Sequence, residues 1–384
     1  MKHTLENGVL TIFIEGELSS SNAESIGKEL EKIIAASVFN SLVIDLENLR
    51  YISSAGLRVF LQLKREHDDM SLINASLEVY DVFQMTGFTS MMDVKKALRK
   101  VDVSSAEVIG DGFFSTVYRL DKDTIVKVFN RTSDPQQIER ELHLAKEAFV
   151  LGVPTAISFD IVKAGDKLGV IFEMLDCKSL KTAIVDNIND YQIYLEKYVD
   201  LLKKINTTVC DNEKIPQIKK FYLEKIEKIK SDLEEKYYLK VKKLIESIDD
   251  RRTFVHGDCH FKNIMVQKDE LLLIDMDTLS VGHPIFELAA ICATYTIFNE
   301  DEPGNSLRFF GIKGDDCLKL YNGIVDLYFG KQDIAIKEKI KLVAYVHMVW
   351  WNRVNEPSNI VRFEGCRSRL YKLLDKYDDL DIGI

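Results

Sequence analysis

Phe254-Val255-His256-Gly257-Asp258-Cys259-His260-Phe261-Lys262-Asn263-Ile264-Met265 is the stretch that decides the fold. Twelve residues after Asn263 comes Asp275, within Leu271-Leu272-Leu273-Ile274-Asp275-Met276-Asp277. Apolar, strand-like runs bracket these polar residues, the pattern of a rigid hairpin that presents a base and metal ligands at one end. Asp258 is a carboxylate able to take a proton, and Asn263, Asp275 and Asp277 are oxygen donors. A rival reading places a transition metal on His256, Asp258 and His260, a His-x-Asp-x-His spacing that a strand can present. That rival leaves Asn263 and Asp275 without a part.

Two upstream segments share the load. Ile109-Gly110-Asp111-Gly112-Phe113-Phe114-Ser115-Thr116-Val117-Tyr118 has two glycines and a small Ser115 where one strand turns into the next. It resembles the Gly-x-Gly-x-x-Gly-x-Val phosphate loop of kinases, with serine in the last glycine slot. Ten residues after Val117, Lys127 stands inside the apolar run Thr124-Ile125-Val126-Lys127-Val128-Phe129. A buried ammonium needs a partner. A helix over Ile138 to Phe149, with Ile138, Leu142, Ala145 and Phe149 on its apolar side, offers Glu141 rather than Glu139. Asp258 precedes Asn263 by five positions, the interval of the kinase His-Arg-Asp-Leu-x-x-x-Asn loop. Phosphoryl transfer needs a carboxylate to deprotonate the acceptor hydroxyl and oxygen ligands for Mg²⁺.

His256 through Asn263, followed by Ile274-Asp275, resembles the signature of the aminoglycoside phosphotransferase and choline kinase superfamily, from about Val108 to the C-terminus. The resemblance implies an α+β bilobal protein-kinase-like fold over residues 105–384, with a β-rich N-lobe (105–176) and a helical C-lobe (177–384). It implies Asp258 as catalytic base, Asn263 and Asp275 as Mg²⁺ ligands with Asp277 beside them, and Lys127–Glu141 as the phosphate-holding pair. Gly110, Gly112 and Ser115 would cover the nucleotide. The hinge, Phe172-Glu173-Met174-Leu175-Asp176, would bind adenine through its backbone at Glu173 and Leu175. His256 and His260 would support the loop. The family often has Asp-Leu-Ala after the metal aspartate; here it is Glu287-Leu288-Ala289. ATP is the expected donor, and the motifs do not separate it from GTP. Trp350 and Trp351 lie in a helical stretch with His347 and Asn352. At least one is expected to pack the C-lobe, and an aromatic there can line a pocket for a cation or a sugar.

Residues 1–100 have a different texture, that of a small α/β domain. Val9–Ile14 and Ser41–Leu46 read as strands, Ala23–Ala36, Leu57–Glu66 and Leu77–Met85 as helices. Between them, Leu46-Glu47-Asn48-Leu49-Arg50-Tyr51-Ile52-Ser53-Ser54-Ala55-Gly56-Leu57-Arg58 reads as a buried strand, a polar turn and a helix start, where Ser53 and Ser54 can cap. With Val79 to Phe88, this stretch resembles a STAS domain of the anti-sigma-factor-antagonist type. In that family an Asp-Ser-Ser/Thr-Gly-Leu turn carries a phosphorylated serine. Ser54 matches it, while Ser53 replaces the Asp and Ala55 the second hydroxyl residue.

Composition sets the outer bounds. The 384 residues carry 51 basic and 61 acidic side chains, a net charge of −10. That argues against broad nucleic-acid binding, which runs on phosphate neutralisation, and weakly favours a cationic acceptor. No apolar run reaches membrane-spanning length; the longest, Ile285–Phe298, contains Glu287. The first residues lack the apolar core of a secretory signal. Cys177, Cys210, Cys259, Cys292, Cys317 and Cys366 include no Cys-x-x-Cys pair and read as free thiols, so a cytoplasmic location is expected. The leading reading is an ATP- and Mg²⁺-dependent kinase of a small-molecule hydroxyl, its STAS domain serving regulation or protein docking. The alternatives are a kinase of a protein serine, Ser54 included, or a nucleotide-sensing signalling module.

Overall fold

The computed structural model describes residues 1–112, 115–130, 135–175, 177–187, 191–268 and 270–377. Phe113 and Phe114 of the glycine loop and Asp176 of the hinge lie outside them. The chain divides into two compact units, Met1–Val101 and Asp102–Ile384.

In the first unit, strands β1 (His3–Glu6), β2 (Val9–Leu18), β3 (Ser41–Ile52), β4 (Ser71–Ala75) and β5 (Asp93–Lys96) form a sheet in that order. Strands β2 to β5 run parallel, and β1 is antiparallel to β2. Helices α1 (Ala23–Ala35), α2 (Ser54–Glu66) and α3 (Leu77–Met85) are the connections. Alternation in β2 buries Leu10, Ile12 and Ile14, where they meet Leu30 of α1, Phe60 of α2 and Phe83 of α3. The polar turn expected after Leu46 is instead strand. β3 continues to Ile52, its register shifting twice against β2, so that Leu49 and Ile52 face the core while Glu47, Asn48, Arg50 and Tyr51 face outward. Helix α2 accordingly opens three residues early, at Ser54, with Ser53 as its cap. Strand β6 (Arg99–Val101) closes this unit.

The second unit begins with strands β7 (Val108–Asp111), β8 (Ser115–Arg119) and β9 (Thr124–Phe129), helix α4 (Pro135–Val150), and strands β10 (Ser158–Ala164) and β11 (Lys167–Glu173). These strands pair antiparallel in the order β10-β11-β9-β8-β7. Helix α4 buries Ile138, Glu141, Leu144, Ala145 and Ala148. Phe149, expected on the buried stripe, is 47% exposed; with Glu141 turned inward toward Lys127, Ala148 takes the buried place.

The rest is mainly helical: β12 (Lys178–Ser179), α5 (Leu180–Asp186), α6 (Gln192–Thr207), α7 (Ile218–Lys228), α8 (Glu235–Glu246), β13 (Phe254–Val255), β14 (Ile264–Gln267), β15 (Glu270–Leu273), β16 (Ser280–Val281), α9 (Ile285–Tyr295), α10 (Asn305–Phe310), α11 (Gly314–Phe329), α12 (Ile334–Asn355) and α13 (Ile360–Leu374). Helices α7 and α8 follow one another as a charged pair, and each sends a stripe into the core, through Tyr222 and Ile226, and through Val241 and Leu244. Helix α9 is apolar nearly all round and almost entirely buried, with only Ala290 and Thr294 half-buried, as such helices must be in water. Among the described residues no helix is long and apolar enough to cross a membrane, and all six cysteines are free.

Candidate active site

Lys127 is central in the antiparallel sheet, its Cα paired with Val117 on β8 and Val170 on β11. Its Nζ donates to Glu141 Oε1 at 2.7 Å and to Asp275 Oδ1 at 2.8 Å. Burial opposes the ammonium charge, but the carboxylates of Asp275 and Glu141 outweigh it and hold its pKa above the ordinary lysine value. One lysine thus ties β9, α4 and the segment after β15 together.

The β14–β15 hairpin and the loop before it carry the remaining groups. Asp258 Oδ2 accepts from Asn263 Nδ2 at 3.1 Å, and the Asp258 carbonyl accepts from the same amide at 3.0 Å. That leaves the Asn263 Oδ1 lone pairs for another ligand. Burial pushes the Asp258 carboxyl above its usual range, with Asp275 adding to it. Asp277 is open to solvent on one side. Even so, enclosure by the protein and then the charges of Asp275 and Glu141 push its carboxyl up to about 7. Asp275 itself has φ +67, a left-handed conformation that aspartate tolerates better than most residues.

His256 is fully buried and neutral, its pKa lowered to about 4, chiefly by burial. Its Nδ1 accepts from the Asp258 N–H at 3.3 Å and its Nε2 faces the Ile274 carbonyl at 3.3 Å. It therefore joins the Asp258 loop to the Asp275 strand by ordinary hydrogen bonds. His260 Nε2 lies 3.7 Å from Asp258 Oδ2, too far for a hydrogen bond. Among the described residues no three His, Cys, Asp or Glu side chains are grouped to hold a metal, and the transition-metal reading of His256, Asp258 and His260 is not supported. The donors that remain, Asn263 Oδ1 and the Asp275 carboxylate, are the hard oxygens Mg²⁺ prefers.

Three further residues support the loops, and of these only Asn130 had no signal in the sequence. Buried Glu287, at the start of α9, accepts the N–H groups of His256 at 2.5 Å and Gly257 at 3.2 Å, so it holds the loop by its backbone. Gly257 has φ +82, and a Cβ there would sit 3.3 Å from the Thr278 carbonyl. Asn130 Nδ2 donates to the Gly112 carbonyl at 3.2 Å, tethering the glycine hairpin, whose Gly112 N–H donates to Ser115 O at 2.9 Å. Gly110 packs beside Val117.

At the hinge, Glu173 is committed internally. Its carboxylate accepts from Ile157 N–H at 2.7 Å and its own N–H donates to Ile157 O. Met174 N–H donates to Asp123 O, while Leu175 N–H takes no backbone partner among the described residues. The Leu175 N–H is therefore available to a nucleotide. Beside Asp258 opens a cavity of about 220 Å³ lined by His260, Phe298, Phe309, Phe310, His347 and Trp351, among others. Trp351 reaches this cavity and Trp350 packs behind it. The Phe309-Phe310 doublet was a readable signal for an aromatic wall. In the first unit, Ser53 Oγ accepts from Gly56 N–H at 3.3 Å, whereas Ser54 is exposed at the first helical position.

Comparison with known proteins places both halves. Residues 105–318 match the model of the phosphotransferase enzyme family and residues 3–101 that of the STAS domain. The chain is 38% identical over 103 residues, 24% of its length, to BtrV of Bordetella bronchiseptica, a candidate anti-sigma factor antagonist of which it covers 85%. Among solved structures, a choline/ethanolamine kinase family protein from Mesorhizobium loti aligns at TM-score 0.48 and 12% identity, over 72% of this chain and 90% of that one. A streptomycin–ATP complex of the aminoglycoside phosphotransferase APH(2")-IIa aligns at 0.46 and 14%, over 70% and 91%.

Proposed function

Since the chain belongs to the phosphotransferase enzyme family and carries a STAS domain, we propose that it transfers the γ-phosphate of ATP to a hydroxyl of a small molecule. The observation that carries this reading is the convergence of Lys127, Glu141 and Asp275 on one ion-paired centre, with Asp258 and Asn263 joined on the adjoining loop. Lys127 would hold the α- and β-phosphates under the glycine hairpin. Leu175 N–H and the Glu173 carbonyl would meet the base. Asn263 and Asp275 would hold Mg²⁺, with Asp277 at hand; the ion supplies positive charge against the phosphates. Asp258 would take the acceptor hydroxyl proton as that oxygen bonds to the γ-phosphorus and the bond to the β-phosphate oxygen breaks. The nucleoside diphosphate leaves, and the proton stays on Asp258. A raised carboxyl pKa suits a group that must accept a proton near neutral pH.

A second reading, with Ser54 as acceptor, is favoured by one observation: Ser53 does the capping, so the exposed Ser54 hydroxyl is not needed for the fold. Incubating the full chain with γ-labelled ATP and Mg²⁺, with and without a panel of small alcohols, tests both. Label on a small molecule, lost in Asp258→Ala while nucleotide binding persists, supports the first reading. Label on the chain that disappears in Ser54→Ala supports the second. Near-wild-type turnover in Asp258→Ala sinks the assignment of the base.

A further inference from the structure

The chemistry of the cavity beside Asp258 narrows the acceptor, on the reading that this cavity is the acceptor site. Its far wall is aromatic. Phe298 meets Phe309 edge-on at 5.6 Å, Phe309 lies 5.9 Å from Phe310, and Phe310 meets His260 edge-on at 5.7 Å. Trp351 adds another ring. These rings already have cations within interaction range. Lys262 Nζ lies 4.5 Å from the Phe309 centroid, and the Arg362 guanidinium is 5.0 Å from Phe298 and 5.4 Å from Trp351. Arg362 is paired with Glu356, but Lys262 has no ion pair among the described residues. Among the described residues Asp258 is the only carboxylate that lines the cavity.

A third cation stands one imidazole away. Lys225 Nζ is 3.0 Å from His347 Nδ1 and lies over the rings of Tyr222 and Trp350, with no acidic partner among the described residues. Burial, with Lys228 adding to it, lowers the Lys225 pKa to about 8, so near pH 7 it is still mostly an ammonium, which can only donate; Nδ1 is then the acceptor and the imidazole proton sits on Nε2. Burial, with Lys225 adding to it, also keeps His347 neutral. His347 lines the cavity, and its Nε2 has no partner among the described residues. It therefore presents an N–H donor with a positive charge behind it.

We propose that this pocket takes an alcohol with a flat apolar body, an oxygen that accepts a hydrogen bond from His347, and no positive charge. Cationic acceptors are turned away, because the rings that would cage them already have Arg362 and the unpaired Lys262 against them, and among the described residues no lining carboxylate other than Asp258 offsets the Lys262 charge. A volume of about 220 Å³ suits one ring and is small for a drug-sized ligand, whose pockets run from roughly 300 Å³ upward. Such an acceptor is the opposite of the cationic one that the net charge weakly favours.

Three matched probes test this by calorimetric titration into the full chain: 4-(hydroxymethyl)benzamide, 4-methylbenzyl alcohol and 4-(aminomethyl)benzyl alcohol. The benzamide should bind at least about tenfold tighter than the cationic amine, the loss of one charge-disfavoured contact. His347→Phe, which keeps the ring, should erase most of the benzamide's advantage over 4-methylbenzyl alcohol. Should that variant misfold, Trp351→Leu serves instead and should weaken both neutral probes alike. Equal or tighter binding of the amine overturns the proposal, as does failure of all three to bind or an unchanged benzamide affinity in His347→Phe. Labelled ATP separates this from the broader reading. Binding in the expected order without transfer to any alcohol sinks the phosphotransferase reading alone; transfer to cationic alcohols without preference sinks the proposal alone.

Discussion

At the scale of single residues, charge compensation governs the site. Lys127 is 15% and Glu141 6% exposed at the side chain, so neither can rely on water if its partner is lost. Lys127→Met should cost about 3–5 kcal/mol, the usual result of leaving one member of a buried pair alone. Lys127→Met/Glu141→Leu should recover much of that. Urea denaturation of both variants checks it, and a double variant no more stable than the single would refute the pairing argument. Transfer should fall about 10²–10³-fold in either variant, since a donor to the developing charge is gone.

His256 and Glu287 make a second residue-scale case, with opposite signs. Both are 0% exposed. His256 falls from its ordinary 6.5 to about 4 on folding, so the unfolded chain takes the proton first. Its stability is full above 6.5 and is lost as pH falls toward 4, about 3 kcal/mol in all at about 1.4 kcal/mol per pKa unit. Glu287 rises from 4.5 to about 7, chiefly by burial, so its stability is full below 4.5 and is lost as pH rises toward 7. The two slopes oppose, and wild-type stability should change little between pH 4.5 and 6.5 on their account. Removing the Glu287 titration with Glu287→Gln should leave stability falling with acid; His256→Gln should leave it rising. Urea midpoints across that range decide, and unchanged slopes in both variants would show that these two groups do not set the profile.

At the scale of elements, the entry to α2 separates fold from function. Ser53→Ala removes a cap and should cost about 1 kcal/mol, while Ser54→Ala should be nearly neutral. At Gly56 a Cβ would lie 2.6 Å from Leu18 Cγ and 2.9 Å from Ile52 Cγ1, so Gly56→Ala should cost about 1–3 kcal/mol of overpacking. Thermal unfolding should show the largest loss in Gly56→Ala, a smaller one in Ser53→Ala and almost none in Ser54→Ala; a Ser54→Ala loss as large as that of Ser53→Ala would make Ser54 structural. The same element shows where the sequence was readable. Helices α1 and α3 follow their apolar spacing within a residue. The path from Leu46 to Ile52 does not, because the bulges that return Leu49 and Ile52 to the core are set by pairing with β2, which local pattern cannot show. The site behaves likewise. A lysine in an apolar strand announces its need for partners, so Lys127, Glu141 and Asp275 can be sought from sequence. Glu287 and Asn130 act on backbone groups distant in the chain; the resemblance marks Glu287 as a motif position without giving its contact, and nothing in the surroundings of Asn130 marks it. Phe149 shows the cost of judging a helix face by hydrophobicity alone, since Glu141 decides which way α4 turns.

At the scale of the whole molecule, each unit has its own core, one around Phe60 and Phe83, the other spanning the helices from α5 to α13. Both tryptophans, Trp350 and Trp351, lie in the second unit, so tryptophan fluorescence reports on that unit alone while circular dichroism sees both. Phe60→Ala empties a fully buried site and should destabilise the first unit by about 3–5 kcal/mol. In urea, the dichroic transition should then split, with an early step absent from the fluorescence, whose midpoint stays where it is in wild type. That result would mean weak coupling between the units in the resting chain. Control of the kinase by the STAS unit would then have to come from a bound partner or a modification such as one at Ser54, each of which can shift an equilibrium only by its differential affinity for the two states. A fluorescence midpoint that moves together with the dichroism would show the opposite: the units unfold as one, and the standing coupling is large enough to carry regulation without a partner.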